Sequence, residues 1–404
     1  MSVFRSAAAL VCSAFLAAAA SAQGPAVRPE VGKPVQAASD LVKGKRGKEA
    51  VAKAREAQAV PNKTAYETYL VDHVLGVALA AVGDATGAAR AFESAAASSA
   101  VPEAERRRFL AAAAAQYHAA KDYGKSADLS GRYLREGGAD RSIRTMHAQA
   151  LYLAGNYPAA AKALAASVEA DEHAGRAPLE EELQMLAHAY LQMKDVPGYG
   201  RSLEKLLAHY PSKDYWLSAL HGVVAMPGYS ERLALDVARL KLATATMRTG
   251  AEYFDAVQLS LQDGFPLEAR QILDKGYAAG LLGTGPEAER HKRLRALVDK
   301  DLAEDEKKIV HYDGTARRDG KTLLNDGFNY VLHGKAAKGI EMMEQGLKAG
   351  SGLKRPDHAK LQLAYGYHLA GRNQKAIQVY RTVQGADGAA ALARLWISYL
   401  RRAS

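Results

Sequence analysis

The chain has 404 residues, a formal net charge of +10 at pH 7 and a single cysteine, and only 7% of its residues are aromatic. One cysteine excludes a disulfide framework, and the length supports a core held by burial alone. The basic excess suits an acidic partner, but the charge-dense stretches 33–55 and 290–308 also hold acids. No basic tract with interleaved aromatics occurs, which argues against nucleic acid.

Residues 1–22 read as a secretory signal. Arg5 supplies the charged start, residues 7–20 the short apolar core, and Ala20-Ser21-Ala22 a cleavage site before Gln23. The segment is too short for a comfortable membrane span. Cys12 lies within it, and Val11 before it argues against a lipid-attachment site. Cleavage would leave a cysteine-free chain in the periplasm of a Gram-negative bacterium.

Residues 23–32 read as a flexible leader. From Pro34 a first helix pair follows, with Ala38 and Leu41 in one helix and Ala50, Ala54 and Ala57 on one face of the next. The clearest pattern comes afterwards: Leu75-Gly76, Leu79, Gly83, Ala88, Phe92 and Ala95, closed by Pro102. Its spacing predicts two antiparallel helices in about 34 residues, which cannot bury their apolar faces without neighbours. Gly76 and Ala88 are small because the helices cross there, and Phe92 fills the space beside them.

Variants of this pattern recur from units starting at 31, 69, 107, 141, 180, 213, 250, 285, 320 and 357. Ala148, Tyr157 and Ala160 keep the spacing in one unit, Ala187 in the next, and Gly327, Ala364 and Ala376 near the C-terminus. Pro197-Gly198 replaces the usual tight turn and predicts a displaced second helix. Residues 213–245 are helical by period but diverged.

An array is expected over 33–283, then a charged spacer or overgrown repeat over 284–319. There Thr284 and Glu287 suggest a capping box and a second charged helix is drawn near 302–319. Two more repeats span 320–386. Residues 387–404, with Trp396 and Tyr399, read as a capping helix. An amphipathic membrane anchor is the alternative for that helix.

The pattern resembles the tetratricopeptide repeat superfamily over nearly all of the chain after residue 30. The segments Leu206 to Trp216, Gly264-Phe265-Pro266 with Glu268-Ala269, and 391–400 are similar to a group of secreted proteobacterial repeat proteins with no settled activity. The resemblance implies an all-α, right-handed superhelical solenoid whose groove holds peptides, and it implies no catalysis. Superfamily grooves are lined by first-helix offsets that map here to His118, Gln149, Tyr152, Gln184, His188, Gln192, Gln258, Gln262, Tyr365 and His368. Amides, imidazoles and phenols of this kind pair with peptide backbone or with sugar hydroxyls.

Other chemistry finds little support. The histidines are scattered, and His311 with Asp313 are too few to hold a metal. Glu180-Glu181-Glu182 diverge around a helix, which suits a helix start better than a carboxylate pair. Gly283-Thr284-Gly285 lacks the rest of a phosphate loop. No catalytic residue, metal or cofactor is therefore expected. The expected role is a non-catalytic periplasmic adaptor for envelope proteins, with recognition of cell-wall or extracellular polysaccharide as the alternative.

Overall fold

The computed structural model describes residues 26–310 and 319–403. The expected signal segment 1–22 with Cys12, and the pair His311 and Asp313, lie outside the described residues. Among the described residues there are twenty α-helices and no strand, and they group into two compact units that meet in sequence at Met193 and Lys194.

The first unit consists of α1 (Pro29–Lys43), α2 (Gly47–Ala59), α3 (Ala65–Ala81), α4 (Ala85–Ala97), α5 (Glu103–Ala119), α6 (Tyr123–Arg135), α7 (Arg141–Leu153), α8 (Tyr157–His173) and α9 (Glu180–Gln192). Each helix packs on the next, so hairpins stack side by side. The turns share one geometry. Gly83, Lys121 and Gly155 take φ values of 82°, 62° and 77°, the left-handed region that ends a helix. The next residue caps the following helix: Asp84, Asp122 and Asn156 accept the backbone N–H of Gly87, Lys125 and Ala159 at 2.8, 3.2 and 3.3 Å.

Helix α1 begins at Pro29, earlier than expected, and tolerates Pro34 inside it. Its start is pinned by Glu67, a fully buried carboxylate at the third position of α3. Arg28 donates to Glu67 through its backbone N–H at 2.9 Å and its guanidinium at 2.9 to 3.2 Å, and Thr64 N–H adds 2.9 Å. With Glu67 N–H donating to Thr64 Oγ1 at 3.1 Å, this completes a capping box.

The second unit holds α10 (Val196–His209), α11 (Lys213–Val224), a 3-10 turn at Glu231–Leu233, α12 (Ala234–Ala243), α13 (Gly250–Gln262) and α14 (Pro266–Ala278). It continues with α15 (Ala288–Val310), α16 (Gly320–Leu332), α17 (Ala336–Ala349), α18 (Pro356–Leu369), α19 (Asn373–Tyr380) and α20 (Ala389–Ala403). Three expectations change here. Helix α10 is not displaced: Lys194 takes φ 57° and Asp195 accepts Gly198 N–H at 2.9 Å, with Pro197 tolerated in the first turn. The Thr284 capping box does not form, because Gly283 and Gly285 hold φ 81° and 70° and delay α15 to Ala288; Thr284 Oγ1 donates to Gly280 O instead. From there one helix runs on to Val310, so the charged stretch before it carries no break.

The residues expected at helix crossings are buried, except Tyr157, which is half-buried. A Cβ on Gly76 would stand 2.6 Å from the Phe92 ring. Helices α16 and α17 approach more closely still: a Cβ on Gly327 would lie 2.6 Å from Gly339 O, and one on Gly339 2.5 Å from Gly327 O. Neither backbone can yield without separating the helices.

The last helix does more than cover the last hairpin. Helix α20 packs on α18 and α19 and also on α10, α11 and α12, near the start of the same unit. Arg394 Nε donates to Glu204 Oε1 at 2.7 Å, Arg402 to Leu207 O at 3.3 Å, and Ser230 N–H to Asp387 O at 2.9 Å. Residues 225–230, which made the 213–245 region look diverged, form the loop that meets this returning segment: a Cβ on Gly388 would touch the Tyr229 ring at 2.9 Å.

Gly339→Ala is predicted to lower unfolding free energy by about 1–3 kcal/mol in urea titrations, the usual range for an overpacked contact. A second test uses pH. The contacts of Glu67 with Arg28, aided by Thr64, hold its carboxyl down to about 2, against an ordinary 4.5. The stability it contributes is present above about 4.5 and is lost as pH falls toward 2. Glu67→Gln is expected to be less stable than the parent at pH 7, and the difference should close between those two values.

Candidate functional site

In the first unit, successive hairpins bring four predicted or packing residues together. Tyr152, on the last turn of α7, Tyr157, which opens α8, and His188 on α9 form an aromatic cluster with ring centroids 5.6 to 6.1 Å apart. Tyr152 Oη and His188 Nδ1 lie 2.7 Å apart, and Gln192 Nε2 lies 3.1 Å from His188 Nε2. An amide N–H donating to Nε2 leaves the ring proton on Nδ1, facing the Tyr152 oxygen. Burial pushes the Tyr152 hydroxyl pKa up, so it stays a neutral donor and acceptor.

The cluster is polar at its surface and adjoins bare apolar residues. Tyr152, Tyr157 and His188 are half-buried and Gln192 is exposed. On the same terminal turns Leu153 and Leu191 are 47% and 53% exposed. One hairpin earlier, His118 makes an edge contact with Tyr123 at 5.4 Å, and burial lowers its pKa. Gln149 is half-buried on α7 and Gln184 exposed on α9.

The second unit treats its predicted residues differently. Tyr365 lies 5.3 Å from Trp396 and 5.9 Å from Phe328, and His368 lies 5.6 Å from Trp396 and 6.0 Å from Tyr399. His368 Nδ1 also pairs with Asn373 Oδ1 at 2.9 Å. Helix α20 thus fills the face on which these two residues were expected to meet a ligand. Gln258 and Gln262 remain exposed on α13.

Behind Tyr365 is a residue that sequence reasoning missed. Arg239 of α12 is 4% exposed and gives Glu268 two hydrogen bonds, 2.8 and 2.7 Å, and Asp236 one of 3.0 Å. Its guanidinium sits 4.9 Å from the Phe328 and Tyr365 ring centres and 5.7 Å from Phe265. The available signal was an arginine flanked by Val237-Ala238 and Leu240 in an apolar helix, with Glu268 in the following hairpin. Burial also raises the Asp236 carboxyl pKa and carries the Tyr380 hydroxyl well above its usual value.

The remaining motifs serve structure. Glu182 is buried and accepts Thr145 Oγ1 at 2.6 Å and Ser167 Oγ at 3.2 Å, while Glu181 faces solvent. Gly283 N–H donates to His291 Nδ1 at 3.1 Å. Among the described residues, no group of three His, Cys, Asp or Glu side chains is placed to hold a metal ion, and no helix is long and apolar enough to cross a membrane.

No protein-family model matches the chain, and no curated protein matches it. Solved structures do. A tetratricopeptide repeat protein from Parabacteroides merdae is 11% identical, with 83% of this chain and 100% of that one covered and a TM-score of 0.34. The TPR domain of P58(IPK) is 13% identical over 92% and 97% of the two chains, with a TM-score of 0.26. Yeast Tom70 is 11% identical over 92% and 96%, with a TM-score of 0.27.

Removing one partner of the buried ion pair tests its role. Glu268→Leu leaves Arg239 buried without its main counter-charge and is expected to cost about 3–5 kcal/mol. Arg239→Met and Glu268→Leu combined with Asp236→Asn should recover most of that loss in the same denaturant titration, since the triple variant buries no unpaired charge.

Proposed function

We propose that this protein is a non-catalytic scaffold that acts in the periplasm, where its first unit binds an extended segment of an envelope protein. The observation that carries the reading is the cluster of Tyr152, Tyr157, His188 and Gln192 beside exposed Leu153 and Leu191. Phenol, imidazole and amide groups pair with the peptide groups of an extended chain, and the leucines take its apolar side chains. The signal-like residues 1–22 support export.

Aromatic and amide side chains also suit sugar rings, so cell-wall or extracellular polysaccharide is the second reading. Crosslinking of envelope proteins to the full exported chain, compared with cosedimentation on purified peptidoglycan and exopolysaccharide, separates the two. Tyr152→Ala with Leu191→Asp is expected to reduce protein crosslinks about tenfold, as loss of an interface anchor does, and to leave the melting temperature near that of the parent. Saccharide binding that disappears in the same variant, with protein crosslinks unchanged, would favour the second reading. An uncleaved chain confined to the cytoplasmic fraction would refute the assigned route.

A further inference from the structure

A cavity of about 720 Å³ opens between α6 and α8, the second helices of neighbouring hairpins, with α7 between them. It is distinct from the tyrosine–histidine cluster, whose four residues do not line it. Its walls are small: Ala127 on α6 and Ala159, Ala163 and Ala166 on α8 leave a trough where larger side chains would have closed the gap. Leu129, Leu134 and Leu151 make the lining apolar. The trough lies open to solvent rather than enclosed.

Its charge is one-sided. Arg132, Arg135, Arg144 and Lys162 line it against one acid, Asp128. Arg132 is engaged by Glu136 at 2.9 Å, whereas Arg135, Arg144 and Lys162 form no ion pair among the described residues. Arg144 Nε is buried and has no hydrogen-bond partner, and its Nη1 reaches only the Ala139 carbonyl, at 3.4 Å. A desolvated donor of this kind gains from an incoming carboxylate what water does not give it.

From this combination we infer a second docking surface in the first unit, one that takes an acidic amphipathic helix of a protein partner. The alanine walls let a helix backbone approach closely, the leucines receive apolar side chains at i, i+3, i+4 and i+7, and carboxylates on its flanks meet Arg135, Arg144 and Lys162. An open trough would leave a small molecule largely wet, while a helix extends beyond both ends of it. Nucleic acid or an anionic headgroup would use the cations and leave the apolar lining unmatched.

The test uses the full chain and a fluorescent synthetic helix of about 18 residues, long enough to hold helical structure, with leucines at the stated spacing and glutamates on both flanks. A scrambled peptide of the same composition is the control. The patterned peptide should bind at least about tenfold more tightly than the scrambled one, and raised salt should weaken it. Arg135→Glu with Lys162→Glu, both exposed in the parent, should remove about tenfold in affinity. Ala163→Phe should block binding by filling the trough, with its circular-dichroism melt compared with the parent. Tyr152→Ala should leave this binding unchanged. Equal binding of the scrambled peptide, or an affinity unmoved by charge reversal, would overturn the inference. So would charge-sensitive binding to phosphatidylglycerol vesicles in the absence of peptide binding, which would make the trough a membrane contact.

Discussion

The contact that decides how the second unit works is the pairing of Arg239 with Glu268 inside a ring of aromatic side chains. A guanidinium removed from water is costly unless its charge and its N–H groups are met, and here two carboxylates and three rings meet them. The groups come from α12, the turn before α14, α14 itself, α16 and α18. Helix α20 then stacks Trp396 against Tyr380, with ring centroids 6.0 Å apart and planes within 5°. An inner face that an open stack of hairpins would offer to a ligand is spent on the unit's own core.

Among the described residues of the first unit no helix returns across the stack in this way, and its stability is arranged differently. It is fastened at its beginning by the Arg28–Glu67 contacts and along its length by repeated turn chemistry, so that each hairpin is defined by local interactions. Its first-helix face remains half-buried and polar at the tyrosine–histidine cluster, and its second-helix face keeps the cationic trough. Two units built from the same element therefore differ in what they leave available.

Local features were legible in the sequence and long-range ones were not. Gly83 announced its turn, and Gly76, Ala88 and Gly327 announced close approaches, because a small residue recurring at a fixed spacing marks where a backbone must turn or nearly touch its neighbour. Lys194 announced nothing, since a lysine seldom adopts a left-handed backbone, and the neighbouring Pro197 drew the turn to the wrong place. Thr284 and Glu287 had the spacing of a capping box, but the two left-handed glycines beside Thr284 prevented the helix from starting there. Tyr365 and His368 were expected to face a groove from α18, and the residues that cover them belong to α20, whose partners on α10 lie far away in sequence. Arg239 left only a faint mark, an arginine among apolar neighbours, because its main counter-charge Glu268 and its rings come from other hairpins.

The return of α20 to α10 also fixes an order of events. Arg394 and Glu204 are separated by 190 residues, so that joining them requires nearly the whole unit to exist first. A polypeptide made or threaded through a translocation pore from its N-terminus can assemble early hairpins as they emerge, but it cannot seal Trp216 or Trp396 away from solvent until the final turn has been released. During that interval the unit presents an unfinished aromatic surface, and a chain halted before α20 emerges would keep it bare.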